Sequence, residues 1–138
     1  MELANINFLA LAVAAIASFG LGSIWYSPVL FGKAWQTAVG LTEESLKKAN
    51  MPLIFGSSFV LIFMMDFGLA IILQGHAGRD LSALSGLLYG TLMGLFFVAT
   101  SIGINMLYQR KSFTLWAIDA GYQVLYLGIT GAILGAWR

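Results

Sequence analysis

The chain has 138 residues; 59% are hydrophobic, only 9% are charged, and the formal net charge is +1. A soluble domain carries about 25% charged residues and cannot hide this much apolar surface, so a soluble globule and a disordered chain are excluded. The near-neutral charge gives no footprint for nucleic acid. With no cysteine and one histidine, His76, there is no disulfide framework, Cys-ligated zinc site, iron–sulfur cluster or single-chain His-rich metal site, and no cofactor is expected.

The charges divide the chain. Glu2 stands alone, Lys33, Glu43, Glu44, Lys47 and Lys48 form one group, Arg79 and Asp80 a second, Arg110 and Lys111 a third, and Arg138 stands last. Only Asp66 and Asp119 fall outside these groups. The stretches between are apolar and as long as the roughly 20 residues a spanning helix needs. They lack the alternating segments of a barrel. The fold class is therefore all-α: a polytopic membrane protein with four transmembrane helices, about 6–26, 53–74, 83–108 and 114–136, in a single transmembrane domain over 1–138, with the lipid bilayer as its first partner.

The first span begins after Glu2 with no basic residue, so it reads as an anchor rather than a cleaved signal peptide. Ser27-Pro28 ends it, because proline disfavours helical geometry in the residue before it. The interfacial segment 27–52 follows. Its first half, Val29 to Trp35, is too apolar for open water and too short to span, and Trp25, Tyr26 and Trp35 are residue types that settle at headgroup level. Its second half, Leu41 to Lys48, reads as a short helix with Thr42 as N-cap, acids in the first turn and lysines in the last. The segment is expected to lie as an elbow on the cytoplasmic face, with a re-entrant loop as the alternative.

The run Gly22-Ser23-Ile24-Trp25-Tyr26-Ser27-Pro28-Val29-Leu30-Phe31-Gly32-Lys33-Ala34-Trp35 resembles the signature of a family of small four-span membrane proteins catalogued as domain of unknown function 1761. The marks are Trp25, Tyr26, Ser27, Pro28, Phe31, Gly32 and Trp35. In length and span pattern the resemblance covers nearly the whole chain. It implies a four-helix membrane architecture and no particular activity.

Small residues mark three spans. Span 1 has Ala10, Ala14, Ser18 and Gly22 at steps of four; span 3 has Ser82, Gly86, Gly90 and Gly94; span 4 has Gly121, Gly128 and Gly135 at steps of seven. Lipid tails give helices no hydrophobic reason to associate, so such faces are where close packing occurs. They serve either contacts within the bundle or a subunit interface, and three marked faces favour a homo-oligomer, most simply a dimer. An unidentified membrane partner is the other possibility. Asp66-Phe67-Gly68 and Asp119-Ala120-Gly121 share D-x-G, for which chance is the simpler source.

The two acids are the chemical signal. Tyr122, Gln123, Tyr126 and Thr130 share a helical face with Asp119, and Ser101, Asn105 and Tyr108 share one on span 3. Ser101 and Asn105 are expected to meet Asp119 and Gln123. Asp66 has few polar neighbours on its own helix, so its partner must come from another helix or subunit. Its depth sets it ~9 Å from Asp119. His76 reads as solvent-exposed, and the Met64-Met65 pair as packing.

Basic residues concentrate in the loops after spans 1 and 3, which places those loops in the cytoplasm of a plasma (inner) membrane and both termini outside. The sequence supports two functions equally: a small oligomeric transporter or channel for protons or cations using the buried acids, or a non-catalytic scaffold or accessory subunit. An intramembrane enzyme is disfavoured, because no nucleophile with a base is evident.

Overall fold

The computed structural model describes residues 3–76 and 80–137. The His76 side chain, and Arg79 and Arg138, on which the orientation reading draws, lie outside the described residues. The described chain is helical, and four of its helices are long and apolar enough to cross a membrane. This is a four-span integral membrane protein. The crossings are α1 (Phe8–Trp25), α4 (Met51–His76), α5 (Ala83–Tyr108) and α6 (Phe113–Ala136). Two short helices, α2 (Gly32–Val39) and α3 (Glu43–Lys47), lie between α1 and α4.

Local chemistry sets the helix starts. The Asn7 side chain accepts from the Ala10 amide, Thr42 from Ser45, Ser82 from Ser85 and Ser112 from Leu115, each satisfying a donor that has no partner in the first turn. Pro52 sits in the first turn of α4, where a missing N–H costs little.

The last crossing is the central one. Half of the most apolar stretch of α6 is buried, against 28% or less in the other three. It packs against α5 on one side and against α1 and α4 on the other. Glycine explains how closely α5 approaches. A Cβ on Gly86 would run into the Gly131 carbonyl, one on Gly90 into the Leu127 carbonyl, and one on Gly135 into the Ser82 carbonyl. Gly94 lies against Val124, and Gly128 against Thr91 and Leu87. On α1, Ala10, Ala14 and Ser18 are fully buried, and Gly22 lies against the Tyr122 hydroxyl. Gly121 faces the Trp25 ring instead of α5. The small-residue faces that suggested a second copy are thus covered within one chain.

One feature has no signature in the sequence. Residues Gly94–Ala99 of α5 form a π-helical turn. Such a turn inserts an extra residue and leaves carbonyls without their usual partners. Trp116 Nε1–H donates to the Ala99 carbonyl at 2.9 Å, and the Thr100 hydroxyl donates to the Phe96 carbonyl at 2.7 Å. The extra residue also moves the inward face. Continued at 3.6 residues per turn, the Gly86/Gly90/Gly94 ladder would turn Ser101 and Asn105 toward α6. From the last residue of the π turn onward the covered positions are Ala99, Ile102, Gly103 and Met106, while Ser101, Asn105 and Tyr108 are exposed.

Candidate functional site

The signature run is a folded device around Asp119. The chain turns sharply after α1: the Leu30 and Gly32 amides both donate to the Ser27 carbonyl, and the Phe31 amide donates to that of Trp25. Gly32 is required by the closeness of this turn, since a Cβ there would strike the Tyr26 and Ser27 carbonyls. Pro28, exposed in the same turn, fits it through its fixed φ. The turn sets Phe31 against Trp25, with ring centroids 4.6 Å apart and the rings tilted by 47°, and brings Trp35 edge-on to Tyr26 at 5.8 Å. The aromatics then engage α6. Trp25 Nε1–H donates to the Ile118 carbonyl at 2.9 Å, and the Tyr26 hydroxyl donates to Asp119 Oδ1 at 2.7 Å. The Trp35 side chain lies near Asp119 as well. Trp25, Tyr26 and Trp35 are half-buried against the bundle, so headgroup anchoring alone does not describe them.

The second acid lies deeper. Asp66 is 0% exposed, and Thr130 Oγ1 donates to its Oδ1 at 2.9 Å. Thr130 Oγ1 also lies 3.2 Å from Ser18 Oγ. A threonine hydroxyl has one proton, so with that proton directed to Asp66 it is Ser18 that donates to Thr130. The Ser18 carbonyl accepts from the Tyr122 hydroxyl at 2.7 Å. The Tyr122 ring packs edge-on against Tyr26 at 5.5 Å and lies 5.0 Å from Tyr126, whose hydroxyl donates to the Met65 sulfur. Hydrogen bonds and ring contacts therefore join Asp119, Tyr26, Tyr122, Ser18, Thr130 and Asp66 into one internal column. Asp66 Oδ2 and Gln123 Oε1 have no hydrogen-bond partner among the described residues.

This arrangement corrects two expectations. Ser101 and Asn105 do not meet Asp119 and Gln123; the π turn rotates them outward, and Asp119 is held by the elbow instead. The acids are also further apart than ~9 Å. Asp66 is level with Thr130, eleven residues beyond Asp119, or about 16 Å along α6. The shorter value counted Asp66 from Pro52 and Asp119 from Lys111 as though both lay at one depth, whereas α6 starts at Phe113, so Asp119 is shallow. Of the other residues singled out, Tyr122 is buried in the column, Tyr126 is buried beside it and Gln123 is half-buried beside it. Ser18 reads in the sequence as a packing residue, yet it is also a link in the column; its hydroxyl in a row of Ala and Gly is the signal that could have marked it.

A scan of protein-family models matches residues 9–135 to the family described as Protein of unknown function (DUF1761). No curated protein and no solved structure matches the chain.

Proposed function

The chain belongs to the DUF1761 family, whose description assigns no activity, so we propose a function from the geometry: a small membrane transporter or channel for protons or cations, with Asp66 as the coupling acid. The supporting observation is the Asp66 carboxyl, buried between α1, α4 and α6 with one oxygen bonded to Thr130 and the other without a partner among the described residues. Translocon scales put an aspartate at the bilayer centre at roughly 2.5–3.5 kcal/mol. Asparagine would accept the same Thr130 bond without an ionisable group, so helix packing alone does not call for an acid. An acid-only lining with no intramembrane base favours protons or cations over anions. The column to Asp119 supplies hydroxyls on the way to the elbow.

The second reading is a non-catalytic scaffold or accessory subunit. It is favoured by the bonding of both acids across helices and by the glycine seam that closes the bundle within one chain. As a companion proposal, copies of the chain pair through the lipid-facing side of α5, where Ser101 and Asn105 are exposed and polar. The loops carrying Lys33, Lys47, Lys48, Arg110 and Lys111 would then face the cytoplasm of a plasma membrane.

The test is ion flux in proteoliposomes with wild type, Asp66→Asn and Asp119→Asn. Loss of flux in Asp66→Asn is expected. Equal flux in all three removes the acids from any transport mechanism.

A further inference from the structure

At its Asp66 end the column is covered by a single helical turn. Ala70 follows Asp66 by four residues and Leu134 follows Thr130 by four, so each stands over its partner, about 6 Å further along the helix. Both, with Leu73, line a cleft of about 240 Å³ at the end of the bundle where α4 finishes and α1 begins, large enough for several waters. Asn5, Asn7 and Gln74 also line it, so among the described residues its polar side chains are amides without formal charge. From the opposite end Asp66 lies fifteen residues into α4, or about 22 Å, beneath the aromatic elbow. The protein layer over Asp66 is therefore far thinner on the cleft side.

We infer that this cleft is the aqueous vestibule through which protons reach Asp66, with Ala70, Leu73 and Leu134 as its seal. The inference rests on the reading of Asp66 as a coupling acid. When the seal wets, a hydronium ion gives its proton to an Asp66 carboxylate oxygen, forming the O–H bond, and leaves as water; the reverse step returns the proton to water. Amides suit such an antechamber, because they hold water without binding a cation tightly or repelling one.

The chain has no cysteine, so every introduced thiol is unique. In lipid nanodiscs, which expose both faces, a cationic methanethiosulfonate reagent reports water access, because it needs a thiolate. Ala70→Cys and Leu134→Cys should react at least about tenfold faster than Ala14→Cys, which is buried away from the cleft, and Met64→Cys, which is 62% exposed toward lipid. Asp66→Cys should react at an intermediate rate, and adding Ala70→Trp should lower it to that of Ala14→Cys. If Ala70→Cys does not yield monodisperse protein, Leu134→Cys and Gln74→Cys carry the same comparison. Rates at the cleft no faster than the controls, or Asp66→Cys reactivity unchanged by Ala70→Trp, overturn the vestibule. These rates involve no transport. Equal flux in wild type and Asp66→Asn would therefore overturn the transport reading separately, leaving an aqueous cleft with no coupled acid below it.

Discussion

Thr130 is the only hydrogen-bond partner that Asp66 has among the described residues, and it gives its single proton there. Valine has the same shape without the hydroxyl. Thr130→Val should cost about 1–2 kcal/mol, within the range of intramembrane hydrogen bonds and of orphaned buried acceptors, read by unfolding in detergent. Thr130→Ser should restore most of it. No loss in the valine variant would mean that the Thr130–Asp66 bond carries no weight. At the elbow, Tyr26→Phe takes from Asp119 its 2.7 Å donor while the ring packing on Trp35 and Tyr122 remains. A cost of about 1–3 kcal/mol is expected, and a neutral result would show that the Tyr26–Asp119 bond carries no weight.

The helices α5 and α6 touch backbone to backbone, and this is where substitution should be least tolerated. Gly86→Ala and Gly131→Ala each drive a methyl into the opposing carbonyl, with no flexible side chain to yield. Each should destabilise by at least the upper part of the about 1–3 kcal/mol range for overpacking. Gly20 and Gly68 provide the contrast, since a Cβ at either meets nothing within 4 Å. There alanine should raise stability by about 0.4–1 kcal/mol through the unfolded state and helix propensity. Thermal unfolding of the four variants side by side distinguishes packing glycines from bystanders. The four crossings were legible in the sequence because hydrocarbon tolerates so few charges that eleven of the thirteen mark the boundaries. The pairing of side chains across crossings was not. It depends on the relative depth of helices and on a π turn in Gly94–Ala99, whose residues, Gly-Leu-Phe-Phe-Val-Ala, look like any other apolar turn. For the same reason both acids stood out at once, while their partners, Thr130 and Tyr26, did not. The likeness of the signature run to its family was visible, but its work on Ile118 and Asp119, more than ninety residues away, appears only in three dimensions.

At the scale of the whole molecule, the small-residue faces close the bundle on itself, while Ser101 and Asn105 are among the polar residues exposed on the outer surface of α5. If copies pair there, Asn105→Leu should shift the population toward monomer in nanodisc subunit counting, and an unchanged distribution would remove α5 as the interface. The two functional readings differ most sharply at Asp66. A scaffold keeps an acid only for its bond to Thr130, and asparagine provides the same acceptor. A transporter keeps it because it ionises. The most direct measurement is therefore made on one variant, Asp66→Asn, with proton flux in proteoliposomes and thermal midpoint recorded on the same preparation. The coupling-acid account predicts that flux is lost while the midpoint is unchanged or higher. Flux equal to that of the wild-type protein, with a lowered midpoint, would contradict it.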